Sequence, residues 1–198
     1  MEGICLATTN SRAYYSALSR FKNTDLRLMS ANPTEITKGF DLIVTTRAEL
    51  RTFGEKTIAI EDLDDDPLIM KIQILSRLTK RRKRDILIGI DPGSRLGMAI
   101  YFGDCILAGR TFNSLDNLGK FISKMAKRFP DSSVVLKIGN GSPILALRIA
   151  KMMNEAISRV RIELVDERGT SSRPEGGRTK RDQDAAAKIA LRKGMSYE

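Results

Sequence analysis

The amino-terminal part of the chain alternates short apolar runs with longer amphipathic ones. The short runs predict strands, and the amphipathic runs between them predict helices. Strands that alternate with helices indicate a small parallel α/β sheet. Asn10 and Ser11 are suited to cap the first helix, and Asp66 followed by Pro67 to begin the last one. The predicted elements span residues 3–7, 12–21, 26–29, 41–44, 47–53, 57–60 and 67–78.

The carboxyl-terminal part is richer in strands. Residues 85–91 are almost entirely apolar, as expected of a strand at the buried centre of a sheet. Gly103 and Asp104 separate two β-rich runs and predict a two-residue hairpin turn. The order β-β-β-α-β-α-β-α predicts a mixed five-stranded sheet, and its elements are 85–91, 96–102, 105–112, 115–129, 134–138, a helix opened by Pro143, 161–165 and a final helix over 182–193.

A run of five consecutive cations, residues 80–84, separates these two patterns. We therefore expect a small α/β domain of unknown role over 1–79, a basic hinge over 80–84 and a second domain over 85–198. The run is either a solvated helix end, whose cations suit the helix dipole, or a surface that contacts phosphates.

Composition narrows the chemistry. Lys and Arg total 34 against 24 Asp and Glu, a net charge of +10 that favours a polyanionic partner such as nucleic acid. The absence of histidine excludes Ser-His-Asp catalysis and every metal site that needs imidazole. Cys5 and Cys105 lie in apolar contexts without metal-binding spacing, so we expect two buried structural thiols. With no apolar run of the ~20 residues that a membrane span needs, we expect a cytoplasmic protein with no membrane partner.

Acidic side chains follow the ends of two predicted strands and begin the last helix. Asp91 ends the first strand of the second domain and precedes a Pro-Gly-Ser-Arg turn. Asp166 and Glu167 end the fifth strand, and Asp182 and Asp184 lie in the first turn of the predicted final helix. Each acid alone suits a turn or a helix start. Their order along the chain, however, can bring all of them to one end of the sheet.

Residues 85–194 resemble the RNase H-like superfamily, in its RuvC and YqgF branches. The stretch 88–95, Ile-Gly-Ile-Asp-Pro-Gly-Ser-Arg, is similar to the first-strand motif of RuvC-type Holliday-junction resolvases. The stretch 165–171 resembles the Asp-Glu-Arg strand end of the YqgF family, and Asp184 with the three alanines after it resembles the final-helix acid. The resemblance implies an RNase H-like fold and a divalent-metal-dependent nuclease that acts on structured DNA or RNA, either resolving junctions or processing RNA.

The same resemblance implies a site for Mg²⁺ or Mn²⁺ held by acidic side chains. Asp91 and Glu167 would be catalytic ligands, and the last helix would supply a third. We favour Asp184 over Asp182 for that position; two residues apart on a helix, the two acids point about 200° apart.

Lys137 departs from the resolvase pattern, which has an acid in the fourth strand. Lys137 is either a strand residue whose amine reaches solvent or part of the site. Two other classes therefore stay open: a catalytically inactive nucleic-acid-binding protein with the same fold, and an ATP-using actin-like relative, disfavoured because a second Asp-x-Gly motif is missing. Whether the chain is a monomer or a homodimer also stays open. The candidate substrate-binding residues are Ser94, Arg95, Lys137, Asn140, Arg168, Arg173, Arg178 and Lys180.

Overall fold

The computed structural model describes residues 3–34, 39–79, 85–167 and 177–197, without the side chain of Arg178. The chain divides into two compact units, Met1–Arg82 and Lys83–Glu198. The basic run 80–84 lies outside the described residues, so its role as a hinge stays a prediction. Within the described ranges, no helix is long and apolar enough to cross a membrane.

The first unit contains a four-stranded parallel sheet in the order β2-β1-β3-β4. This confirms the predicted small parallel α/β fold. Its elements are β1 (Ile4–Leu6), α1 (Ser11–Phe21), β2 (Leu28–Ser30), β3 (Leu42–Thr45), a 3-10 turn (Arg47–Glu49), α2 (Leu50–Phe53), β4 (Thr57–Ala59), a second 3-10 turn (Ile60–Asp62) and α3 (Pro67–Leu78).

Local sequence fixes where the helices of this unit begin. The Asn10 side chain accepts a hydrogen bond from the backbone N of Ala13, and Asp66 accepts one from the backbone N of Leu68. Each bond satisfies a backbone donor that the first turn of a helix leaves without an internal partner. The buried faces of α1 and α3 then pack with apolar strand residues into one core.

The second unit contains a six-stranded mixed sheet in the order β10-β9-β8-β5-β6-β7. The prediction of five strands is therefore wrong by one. The added strand, β10, is only two residues long and pairs antiparallel with β9, too short for an alternating pattern to reveal. The elements are β5 (Ile86–Pro92), β6 (Leu96–Phe102), β7 (Cys105–Phe112), α4 (Leu115–Arg128), β8 (Val134–Gly139), α5 (Pro143–Ala156), β9 (Val160–Val165), α6 (Arg178–Leu191) and β10 (Met195–Ser196).

The hairpin between β6 and β7 turns at Gly103 and Asp104, as predicted. Gly103 has a φ of 59°, a left-handed conformation that hairpin turns of this length require and that glycine adopts without strain. Cys105 follows this turn and is exposed, whereas Cys5 is buried. The expectation of a buried thiol at Cys105 is thus wrong, because the residue begins an edge strand beside the turn.

The last helix begins four positions before its predicted start, at Arg178 rather than Asp182. Its first turn contains no acidic residue, so the prediction that Asp182 and Asp184 lie there is wrong. Residues 178–181 are Arg, Thr, Lys and Arg, and a wholly polar turn gives no periodic signal.

The two faces of this sheet are covered differently. Side chains alternate along β5, and Ile86, Ile88 and Ile90 are fully buried on one face. Helices α4 and α5 contact the sheet, while α6 contacts β5, β6, β7 and β8. Gly89 and Asp91 alternate with these isoleucines along β5 and are therefore on the opposite face, which α6 covers.

Small residues let α6 lie unusually close to the strands. Gly89, Ala99 and Gly109 are register partners across β5, β6 and β7. A Cβ at Gly89 would overlap the carbonyl oxygen of Ala186, and one at Gly109 would lie 2.6 Å from Cβ of Gln183. The row therefore has no side chain larger than a methyl group, and the backbone of α6 lies in the groove that this leaves.

Candidate functional site

Asp91 is on the α6 face at the carboxyl end of β5. Its register partner on β6 is Gly97, where a Cβ would overlap the backbone carbonyl oxygen of Asp182. The close approach of α6 at Gly97 thus brings Asp182 next to Asp91. Asp91 and Asp182 are 91 positions apart in the sequence. They come together because Gly97 has no side chain that would hold α6 away from the strand.

The environment of Asp91 disfavours its charged form. Burial raises the pKa of this carboxyl, and the negative charges of Glu167 and Asp182 raise it further, to about 6. Like charges disfavour each other's ionisation when they share a partly desolvated place. Asp91, Glu167 and Asp182 therefore form one electrostatically coupled group, the acidic group.

Glu167 reaches this place from beyond the end of β9. Its carboxylate lies against the loop that follows β8: a Cβ at Gly139 would overlap Oε1, and one at Gly141 would overlap Oε2. This glycine loop leads into α5, which Pro143 opens. In the structure it is the carboxylate of the chain itself that lies against the two glycines.

The acids of α6 have different surroundings. Asp182 is partly buried, and its Oδ2 is 3.1 Å from Nη2 of Arg95, on the turn after β5. Asp184 is exposed, as expected for two positions on opposite sides of a helix. The structure therefore brings Asp182 rather than the favoured Asp184 to the acidic group. Arg95, expected to bind substrate, is the ion-pair partner of that acid.

Lys137 has two partners inside the second unit. Its Nζ is 3.4 Å from Oε2 of Glu163, its register partner on β9, and donates a hydrogen bond to the carbonyl oxygen of Arg192. Arg192 caps the carboxyl end of α6, where a cation complements the helix dipole. The Lys137 side chain is only 14% exposed. Through these contacts Lys137 connects β8 with β9 and with the end of α6. Its amine is engaged within the protein, which does not support the prediction that Lys137 binds substrate.

The partners of Lys137 were missed by sequence reasoning. Glu163 lies in the middle of β9 and is on the α6 face, since it is the register partner of Lys137, which in turn is the register partner of Gly89. A glutamate opposite a lysine at the same depth of two adjacent strands was the available signal.

The other candidate substrate-binding residues are dispersed. Ser94, Asn140 and Lys180 are exposed around the sheet end and the start of α6. Arg168 and Arg173 lie outside the described residues, as does the side chain of Arg178. Their role in phosphate binding stays a prediction.

Carboxylate oxygens are the ligands that Mg²⁺ and Mn²⁺ prefer, so the chemistry of the acidic group fits a hard divalent cation. The described part of the chain nevertheless contains no set of three acidic or cysteine side chains already placed to hold a metal ion. One of the three acids, Asp182, is engaged in the ion pair with Arg95. The donor set therefore fits the metal, while the third acid is held by a cation of the protein.

Comparison of the chain with protein-family models, curated proteins and solved structures gave no match.

Proposed function

We propose that the protein is a divalent-metal-dependent nuclease that acts on structured nucleic acid, with its site at the acidic group. One observation carries the proposal: Asp91, Glu167 and Asp182 come together from three separate parts of the second unit, and burial, with the negative charges of the other two acids, raises the pKa of Asp91 to about 6. Carboxylates that are held close together despite their mutual repulsion are common at functional sites. The motif resemblance and the net charge of +10 agree with a polyanionic substrate.

In this proposal Asp91 and Glu167 are metal ligands and Asp182 replaces Asp184 as the third. Bound Mg²⁺ or Mn²⁺ would supply activation of water and stabilisation of the displaced phosphodiester oxygen. The chain provides the positions: Asp91 on a central strand, Glu167 after β9 with its carboxylate against the glycines that follow β8, and Asp182 on α6. The exposed cations Lys180 and Arg181 at the start of α6 would contact the nucleic-acid backbone.

Cleavage assays test this proposal. The full chain is incubated with a four-way DNA junction, duplex DNA and structured RNA, in Mg²⁺, in Mn²⁺ and in chelator. We expect metal-dependent cutting by the natural chain and by Asp104→Asn, which alters an exposed acid on the hairpin turn. Asp91→Asn, which removes a ligand charge with little change of shape, should not cut but should still bind. Cutting that persists unchanged in Asp91→Asn would reject the assigned site.

The second candidate is a nucleic-acid-binding protein that keeps this architecture without catalysis. It is favoured by the Arg95 ion pair of Asp182 and by Lys137 at the fourth-strand position. Binding of the same substrates without cleavage in either metal would select it. Sedimentation adds a further distinction: a symmetric junction cut needs two sites, so a stable monomer would favour RNA processing over junction resolution.

A further inference from the structure

The sheet of the first unit has a reversal in its strand order that the proposed function does not use. In this sheet, β1 pairs with β2 on one side and with β3 on the other, so the connections after β1 and β3 lead in opposite directions. In open parallel sheets, ligands bind outside the carboxyl ends of the strands where the order reverses in this way. The residues that follow β1 and end β3 therefore occupy the usual ligand position of such a sheet.

Those residues are hydrogen-bond donors, and all of them are aimed at one carboxylate. Oε2 of Glu49 accepts from the hydroxyls of Thr8 at 2.5 Å, of Thr45 at 3.2 Å and of Thr46. Oε1 accepts from the backbone N of Thr9 at 2.8 Å and from its hydroxyl at 2.6 Å. Two strand ends thus direct donors at both oxygens of one carboxylate, and we call the four threonines its cradle.

Two of the threonines in the cradle are buried, so the contacts to Glu49 are not a chance arrangement at the surface. Thr45 and Thr46 are 0% and 5% exposed, and hydroxyl groups are rarely buried so deeply without a fixed acceptor. Burial alone would raise the pKa of Glu49, but the hydrogen bonds from Thr46, Thr8 and Thr9 lower it to about 2. The carboxylate is therefore charged across the physiological pH range.

We infer that this cradle is an oxyanion-binding site that the chain fills with its own Glu49, and that a small carboxylate or phosphate binds there when Glu49 is absent or displaced. Glu49 ends a short 3-10 turn that follows β3, so its carboxylate reaches the threonines from outside the sheet. Its carboxylate stands where the oxyanion of an external ligand would be. An internal group has a high effective concentration, so a weak external anion cannot replace it in the natural chain. This inference is independent of the nuclease proposal.

The test compares thermal unfolding of full-length Glu49→Ala with Glu55→Ala, which removes an exposed carboxylate from the same unit. Each is measured in acetate, phosphate and chloride at equal ionic strength. When the anion concentration is ten times its dissociation constant, we expect acetate or phosphate to raise the thermal unfolding midpoint of Glu49→Ala by about 3–6 °C above its value in chloride. The natural chain and Glu55→Ala should show no such difference. Which of the two anions acts more strongly distinguishes a carboxylate ligand from a phosphate ligand.

A second pair of variants locates the binding. Thr46→Val in the Glu49→Ala chain keeps the side-chain shape without the hydroxyl and should abolish the anion effect. Thr57→Val in the same background is the control, because that hydroxyl bonds Gly54 O instead. If Glu49→Ala is unfolded in chloride but folds in acetate or phosphate, the inference is supported. If it folds without any specific anion effect, or stays unfolded in all three salts, Glu49 is a fixed structural clamp and the inference is rejected.

Discussion

Glu167 and Gly139 share one space: the glutamate carboxylate lies where a side chain on residue 139 would have to be. Residue 139 ends β8, the strand next to β5, so the absence of a side chain there is what lets Glu167 turn back towards Asp91. A methyl group at this position would also lie 2.7 Å from Cδ1 of Ile189 on α6. The identity of residue 139 therefore sets the place of an acid that is 28 positions later in the sequence.

Gly139→Ala is the direct test of this relationship. We expect the Glu167 carboxylate to be displaced, which should weaken Mn²⁺ binding by about 10-fold or more, as for the loss of a group that orients a ligand. The crowding should lower the free energy of unfolding by about 1–3 kcal/mol. Calorimetric Mn²⁺ titration and urea unfolding measure the two effects. The control is Gly119→Ala in α4, where the new Cβ would lie an ordinary 3.4 Å from Cε of Met152. It should leave Mn²⁺ binding unchanged.

The two acids of α6 should respond differently to neutralisation. Asp182→Asn should reduce metal-dependent cleavage by more than about 100-fold, beyond the loss typical of groups that only support a ligand. Asp184→Asn should leave the rate nearly unchanged, because Asp184 is exposed. Single-turnover cleavage of the best substrate measures both variants. Equal losses would contradict the placement of Asp182 as the third acid.

Lys137 should matter for stability and not for metal binding. Lys137→Met leaves Glu163 partly buried without its nearest buried cation and should lower the free energy of unfolding by about 3 kcal/mol. Arg161→Met is the matched control, because Arg161 Nε is 3.5 Å from the other oxygen of Glu163 while its side chain is 64% exposed. That change should cost less than about 1 kcal/mol. A large fall in Mn²⁺ affinity for a folded Lys137→Met chain would instead place Lys137 in the site.

Asp91 should make the metal-free chain less stable as pH rises. Its pKa of about 6 when folded lies above the ordinary 3.8, so the folded chain binds this proton more tightly than the unfolded chain. That contribution to stability is fully present below pH 3.8 and is lost as pH rises through 6. Asp91→Asn should therefore match the natural chain near pH 4 but exceed its free energy of unfolding at pH 8, by at most about 3 kcal/mol.

Urea unfolding in chelator between pH 4 and pH 8 measures this difference. Asp104→Asn, on the exposed hairpin turn, should follow the natural chain at every pH. An Asp91→Asn chain with the same pH dependence as the natural one would show that Asp91 is not coupled to the other acids.

Sequence patterns predicted the strands and helices far better than the arrangement of the acids. The hairpin at Gly103 and the apolar strand β5 follow from local rules, since turn residues and unbroken apolar runs act over a few positions. The choice between Asp182 and Asp184 depends on the rotation of α6 about its axis. Contact with Gly97 fixes that rotation. The periodic pattern of one helix does not reveal such a tertiary contact. The ion pair of Lys137 with Glu163 left a signal only in the comparison of two strands, because the pair depends on their register.

The groove of small residues under α6 has a consequence for the fraction of molecules in which the acidic group is assembled. Asp91 belongs to the paired strands, whereas Asp182 belongs to a helix held to them by close backbone approach at Gly89 and Gly97. A local opening that detached this helix would separate the acids while every strand stayed paired. The population of the assembled site is then governed by the opening free energy of one helix and not by the global stability of the unit.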